Sequence, residues 1–199
     1  LSVTITAQGL TPEGKYLSRS GAKAGDWIYV TGDLGDAALA LQHHNEPFLT
    51  DADVIEQVQQ KLDYPKPRVL MGQSLREYAS SAIDISDGLL ADLGHICQAS
   101  NVGANIVLDA IPMSEAMNNS QLFDDAILLA LNGGDDYELL FTVSEDNKVA
   151  METALSHAGA AVTCIGQMNA TRTISTTLNN KPVSINGSGF EHFSSKETG

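Results

Sequence analysis

The sequence predicts an α/β or α+β domain in which helices flank a mixed β-sheet. Three observations lead to this prediction. Short β-rich or alternating runs recur along the 199 residues, segments with helical periodicity separate them, and no segment repeats at a fixed period. The chain is also long enough to bury one sizeable core.

The N-terminal part predicts a strand, a link, a second strand and a short helix. Residues 1–7 alternate apolar and polar side chains, as a half-buried strand does, and residues 9–14 form a link that contains proline and glycine. A turn at Gly25 precedes a β-rich run over residues 27–31. Glycines end that strand, and Asp36 then opens the helix.

The next part of the chain predicts two helices. We expect Thr50 to cap the first of them, in which Val54, Val58 and Leu62 fall on one face. The second follows a turn that contains two prolines, and its apolar residues include Leu75.

The remaining predicted elements continue the alternation and end in a hairpin. An Asn-Asn pair is a turn signal between the two strands of that hairpin. In order, the elements are a strand at 81–85, a helix at 89–99, a strand at 105–108, a helix at 123–131, a strand at 139–143, a helix at 148–157, a strand at 161–166 and the hairpin within 173–193.

The charge of the chain limits its partners. A formal net charge of −14 gives no general attraction to nucleic acid or to an anionic membrane surface. A phosphate ligand would need cations, and a divalent metal that carboxylates hold is the obvious source. The two cysteines, Cys97 and Cys164, lie far apart without zinc-site spacing, and we expect them to be reduced core residues of a cytoplasmic protein.

The stretch AIDISDGLLADLGH, residues 82–95, is the first candidate site. Asp84 and Ser86 lie two apart in a strand and therefore share a face, and Asp87 follows where the helix begins. The amides at the helix start can hold a phosphate oxygen, and the acids can hold a metal. The alternative is that Ser86 or Asp87 simply caps the helix, which leaves Asp84 without a structural role; we favour the functional interpretation.

Two further segments are weaker candidates. In NGGDDYELLF, two glycines end a helix, and Asp135, Asp136 and Glu138 crowd the start of a strand. These acids repel one another unless a cation or a ligand relieves them, but solvated charges explain this segment at least as well. Arg19 and Lys23 lie among small residues and could bind a phosphate, although a surface loop is the simpler explanation.

Taken together, these segments resemble one known family. RSGAKAGDWIYVTGDLGDAALAL, YPKPRVLMGQSL, SAIDISDGLLADLGHI, LNGGDDYELLF and CIGQM occur in the order found in the thiamine-monophosphate kinase family. The likeness is to the C-terminal domain of that family and covers nearly the whole chain. GDWIYVTG is shared more widely with the aminoimidazole ribonucleotide synthetase superfamily.

The resemblance implies an activity and a domain organisation. The family transfers the γ-phosphate of ATP to thiamine monophosphate with the help of Mg²⁺, giving thiamine diphosphate, and its members are homodimers. It implies that residues 1–14 are the remnant strand and link of a missing N-terminal ATP-binding domain, that residues 15–193 are the C-terminal synthetase-like domain, and that residues 194–199 are a polar tail. We therefore expect this chain to be a fragment that is inactive alone.

The resemblance also implies roles for individual residues, and it assigns no catalytic acid, base or nucleophile. Asp135 stands where the family usually has glutamate. By position, Arg19 and Ser86 would contact ATP, Asp84 and Asp87 would each bind Mg²⁺, and Asp135 and Phe190 would contact thiamine monophosphate.

Two other functions remain open from the sequence. The chain could belong to another ATP-using synthetase of the superfamily, although the GGDDYE stretch speaks against it. It could instead be a module without catalytic activity that binds a metal or a vitamin phosphate.

Overall fold

A seven-stranded mixed sheet forms the centre of the protein. The computed structural model describes residues 2–6, 8–119, 123–157 and 159–185. The strands are β1 (Trp27–Thr31), β2 (Ala79–Asp84), β3 (Gly103–Val107), β4 (Leu139–Val143), β5 (Val162–Asn169), β6 (Ile174–Leu178) and β7 (Lys181–Val183). Their order in the sheet is β2-β4-β1-β5-β3-β6-β7, and only β3 and β6 pair in parallel within it. The prediction of a mixed sheet is confirmed.

Helices cover both faces of this sheet. They are α1 (Asp36–Asn45), α2 (Ala52–Asp63), α3 (Val69–Leu75), α4 (Leu89–Ser100), α5 (Glu115–Asn119), α6 (Phe123–Asn132) and α7 (Glu145–His157), with one 3₁₀ turn at Leu108–Ala110. None of the helices in the described ranges is both long and apolar enough to cross a membrane.

Alternation along the strands divides the core between the two faces. Ile28 and Val30 join a cluster with residues of α4 and α6, whereas Tyr29 joins one with residues of α3 and α7. Successive strand residues point to opposite faces, so one strand supplies both clusters. A third cluster holds α1 against α2, and Val58 is buried at its centre.

Two local predictions were wrong, and one helix was missed. Described residues 2–6 are exposed and form no strand, because an alternating pattern becomes a strand only where a neighbour accepts its hydrogen bonds. The cap of α2 is Asp51 and not Thr50: its carboxylate accepts hydrogen bonds from the amides of Asp53 and Val54, at 2.9 and 3.3 Å. The short helix α5 was not predicted.

The C-terminal hairpin follows the prediction within the described residues. β6 and β7 pair antiparallel, and Asn179 and Asn180 connect them with φ angles of 50° and 59°. Asparagine tolerates this left-handed region better than other side chains do, and two such residues in succession match the twist of paired strands.

Candidate functional site

The first candidate motif lies where β2 ends and α4 begins. Asp84 is the last residue of β2 and is exposed, while Ser86 and Asp87 are partly buried in the turn that follows. Gly88 makes this turn with a φ of 112°, and a Cβ there would lie 2.9 Å from the carbonyl group of Asn132. A glycine is therefore required, and it lets the motif approach the end of α6 closely.

The capping interpretation of this motif was wrong. Neither Ser86 nor Asp87 caps α4 with its side chain. Asp92, in the first turn of α4, instead folds its carboxylate back to accept hydrogen bonds from the amides of Ser86 and Asp87, at 2.9 and 3.1 Å. The Asp92 carboxylate thus holds the turn through its backbone, so neither the Ser86 hydroxyl nor the Asp87 carboxylate is used for capping and both can contact a ligand.

Sequence reasoning missed Asp92. The residue is 2% exposed, and burial raises the pKa of its carboxyl group, an effect that the two amide hydrogen bonds partly offset. The signal that could have found it is an acid in the first helical turn between the apolar residues Ala91 and Leu93.

Backbone hydrogen bonds join the second motif to the first. The amide of Asp135 donates to the carbonyl of Ser86 at 3.1 Å, and that of Tyr137 donates to the carbonyl of Ile85 at 2.9 Å. The Tyr137 hydroxyl donates to the Asp135 carboxylate at 3.2 Å. Two segments about 50 residues apart in sequence therefore form one unit.

Tyr137 lies among the predicted site acids. The pKa of its phenol is raised, first by burial, then by Asp135, and further by the charges of Asp84 and Asp87. All three carboxylates thus act on one side chain, so the fold brings the predicted metal-binding and substrate-binding acids into one region.

The three acids of the second motif have different environments. Asp136 accepts from the amide of Gly35 at 3.0 and 3.1 Å, and burial raises its pKa to about 7. Glu138 is 3% exposed, pairs with Arg68 and accepts a hydrogen bond of 2.5 Å from the Thr31 hydroxyl. Solvated charges therefore do not describe Asp136 or Glu138.

A cavity of about 540 Å³ lies between α1, α6 and the turn before α4. Its polar lining includes Ser86, Asp87 and Asp135. Its apolar lining includes two leucines, Leu41 and Leu128, which are 43% and 40% exposed. The site thus combines carboxylates with an apolar surface that is open to a ligand.

Asp84 lines a neighbouring cavity of about 320 Å³. Arg68 and Tyr137 contribute to the same walls, together with Pro65, Pro67 and Leu139. Sequence reasoning did not single out Arg68, because its partner Glu138 is 70 residues away in the chain.

Arg19, a predicted site residue, is not part of this assembly. Arg19 lines neither cavity, and its carbonyl accepts a hydrogen bond from the Ser100 hydroxyl at 3.3 Å. It lies on the segment that runs beside β2, where the carbonyl of Ser18 accepts from the amide of Ala82. Phe190 lies outside the described residues.

The carboxylates of Asp84 and Asp87 fit a hard divalent cation. Neither accepts a hydrogen bond from any residue in the described part of the chain, so their oxygens keep their full capacity to bind metal. Asp87 also lies with Asp92 and His95 in a group whose possible ligand atoms are within 4.8 Å of one another, and Asp84 is not part of that group. That Asp84 and Asp87 serve separate ions stays a prediction.

Comparison with protein families identifies the domain. The model for "AIR synthase related protein, C-terminal domain" matches residues 23–179. The chain belongs to this family. The match includes the turn before α4, both candidate cavities and the whole sheet except β7.

Individual relatives are named as kinases. The chain is 46% identical over 195 residues to thiamine-monophosphate kinase of Escherichia coli O157:H7, which covers 97% of this chain and 60% of that relative. It is 40% identical over 201 residues to the Haemophilus influenzae protein of the same name, with the same coverage of both chains. The chain thus spans about 60% of the length of these curated relatives.

Solved structures give the same picture. The crystal structure of thiamine-monophosphate kinase from Stenotrophomonas maltophilia K279a has a TM-score of 0.78 and 38% identity, over 87% of this chain and 56% of that one. A structure described as AaThiL complexed with AMPPCP and TMP has a TM-score of 0.72 and 27% identity, over 89% of this chain and 54% of that one.

Proposed function

We propose that this chain is the C-terminal part of a kinase that transfers the γ-phosphate of ATP to thiamine monophosphate, giving thiamine diphosphate. The observation that supports this most is the cavity in which Ser86, Asp87 and Asp135 meet. The family resemblance implies a different partner for each residue: ATP for Ser86, Mg²⁺ for Asp87 and thiamine monophosphate for Asp135. The three residues come from two separate motifs. The names of the relatives support the same activity.

The proposed reaction is a direct phosphoryl transfer. A phosphate oxygen of thiamine monophosphate forms a bond to the γ-phosphorus of ATP, the bond from that phosphorus to the β,γ-bridging oxygen breaks, and ADP leaves with the electron pair. The attacking oxygen is already ionised near neutral pH, so no strong base is required. Positioning and charge neutralisation then account for the catalysis.

Asp84 and Asp87 are the proposed Mg²⁺ ligands. Bound Mg²⁺ would neutralise the charge of the phosphates. In a chain with a net charge of −14, the acids otherwise oppose the approach of anionic substrates. Ser86 and Arg19 are proposed to contact ATP, and Asp135 and Phe190 to contact thiamine monophosphate.

The apolar wall of the larger cavity fits the organic part of the substrate. Leu41 and Leu128 offer exposed aliphatic surface next to the carboxylates of Asp87 and Asp135. A ring system that carries a positive charge satisfies both surfaces, because the leucines desolvate the ring and the acids balance its charge.

The decisive experiment uses the longer protein that contains this chain. We expect it to convert thiamine monophosphate and ATP to thiamine diphosphate and ADP, and we expect Asp87→Asn to lose most of the turnover. Asp146→Asn is the matched control, because Asp146 is an exposed acid on α7. Near-normal turnover of the Asp87 variant at saturating Mg²⁺ would contradict the metal-ligand role.

The proposal includes three features of the whole protein. We propose that it is a homodimer, that it is cytoplasmic, and that the 199-residue chain alone does not catalyse the transfer. The free thiols of Cys97 and Cys164 support a reducing compartment. Turnover by the isolated chain would contradict a site shared with another domain.

A further inference from the structure

Arg68 is fixed in place at the start of α3. Its Nε donates to Glu138 Oε2 at 2.6 Å, and its Nη2 donates to Glu138 Oε1. Glu138 is itself held, because it is buried and accepts a second hydrogen bond from Thr31. A two-point pair of this kind fixes the plane of the guanidinium group as well as its position.

The pair with Glu138 uses only one edge of the guanidinium group. The third nitrogen, Nη1, has no hydrogen-bond partner among the described residues, and it is not one of the buried unpaired atoms. The side chain is 27% exposed and lines the cavity of about 320 Å³ that also contains Asp84. No described residue therefore uses the two N–H groups of Nη1, on a side chain that lines this cavity and two others.

Arg68 is also the one cationic side chain at the candidate site. Among the described residues that line the two cavities holding Asp84, Ser86, Asp87 and Asp135, it is the only lysine or arginine. Glu138 and Asp33 favour its charged form and raise its pKa. Because Glu138 offsets its charge, Arg68 is better suited to donate short-range hydrogen bonds than to attract ligands over a distance.

We infer that Arg68 is a phosphate-binding residue of this site, and that Nη1 donates to a phosphate oxygen of a substrate bound next to Asp84. Glu138 and Thr31 are positioning residues that hold the guanidinium group for this contact. The inference rests on the proposed function, since it assigns a donor to the phosphates of that reaction. A role in ligand binding would explain why the Arg68–Glu138 pair lies beside a cavity, since a buried ion pair contributes little net stability by itself.

The test measures binding to the longer protein in the presence of Mg²⁺. Thiamine monophosphate and the non-hydrolysable nucleotide AMPPCP carry phosphate, and thiamine is the probe without it. We expect Arg68→Met to weaken binding of a phosphate-bearing probe by about 10- to 100-fold, as expected for the loss of a charged hydrogen bond, with thiamine binding unchanged. A loss for thiamine monophosphate alone assigns the contact to the acceptor phosphate, and a loss for AMPPCP alone assigns it to the nucleotide.

Further variants separate ligand binding from folding. Arg68→Met leaves Glu138 buried without a partner, so the double variant Arg68→Met/Glu138→Gln removes that charge as well. Glu138→Gln alone keeps the guanidinium group but loses the charged pair that positions it, so we expect a partial loss of affinity that is smaller than the loss in the double variant. Arg76→Met is the control, because Arg76 lies at the end of the same helix and its Nε donates to the carbonyl of Gln73.

Three results would overturn the inference. The first is unchanged affinity of the Arg68 variants for both phosphate-bearing probes, and the second is an equal loss of affinity for thiamine. The third is recovery of affinity in the double variant, which would show that Arg68 serves only to pair with Glu138. The proposed function fails separately, if the wild-type longer protein makes no thiamine diphosphate.

Discussion

Gly32, directly after β1, offers a sharp test of how Glu138 is held. Gly32 has a φ of +59°, and a Cβ built there would lie 2.2 Å from Glu138 Oε1. The change Gly32→Ala therefore places a methyl group where the carboxylate is. The carboxylate cannot move away freely, because Arg68 and Thr31 hold it from two other sides.

The expected cost has two parts. An alanine in the left-handed region costs about 1–2 kcal/mol. Displacing Glu138 breaks a buried ion pair, which costs about 3–5 kcal/mol. We therefore expect Gly32→Ala to lower the free energy of unfolding by about 4–7 kcal/mol, and the unfolding midpoint of a protein of this size by roughly 10–25 °C.

Denaturant and thermal unfolding measure this loss, and the chain offers a matched control. Gly159 has a φ of +68° with nothing within 4 Å of its Cβ position, so Gly159→Ala reports the backbone cost alone. In a Glu138→Ala background the clash is absent, and Gly32→Ala should then cost only about 1–2 kcal/mol. An equal cost of Gly32→Ala in both backgrounds would refute the reasoning.

Three further predictions follow from the site. The folded-state pKa of Asp136, about 7, lies above that of an unfolded aspartate, so ionisation of Asp136 lowers the stability of the folded protein as pH rises from about 4 to 7. Asp136→Asn removes this ionisation, and its gain in unfolding temperature over wild type should therefore grow between pH 5 and pH 8. A constant or shrinking difference would contradict this. Asp92→Ala leaves the amides of Ser86 and Asp87 without their acceptor and should cost about 2–4 kcal/mol in denaturant unfolding, whereas a loss below about 0.5 kcal/mol would show that water replaces the carboxylate. Leu128→Ser in the longer protein should raise the KM for thiamine monophosphate about threefold to tenfold, with the KM for ATP unchanged. The opposite pattern would place the nucleotide against Leu128. Leu70→Ser is the control, because Leu70 is an exposed leucine that does not line the cavity.

The fold followed from local patterns to a large extent. The β-rich run that contains Ile28, Tyr29 and Val30 predicted a strand, and the structure assigns these side chains to two clusters. The Asn-Asn turn of the last hairpin is likewise a local preference. The pattern in residues 1–7 misled, because strand formation depends on a partner that a local pattern does not contain.

The candidate site could be predicted only in part. Asp84, Ser86 and Asp87 were candidates because acids and a hydroxyl flank a helix start, whereas only the resemblance to a known family singled out Asp135 among the acids of its motif. The contributions of Arg68 and Asp92 were not recognisable, since each depends on a contact that the sequence does not display. Asp92 bonds backbone amides that precede its own helix, and Arg68 meets Glu138 only after β1, β2 and β4 have assembled.

By itself, the sequence determined most of the elements, the mixed sheet and the two acidic motifs, because these depend on residue periodicity and on glycine and asparagine turns. Only the tertiary structure decided what each acid does. Asp135, Asp136 and Glu138 look equivalent in sequence, but the fold places the first in a cavity, the second on the amide of Gly35 and the third on Arg68. The physical reason is that a carboxylate takes its role from its desolvation and its partners, and the partners of Asp136 and Glu138 are 70 to 107 residues distant in the chain.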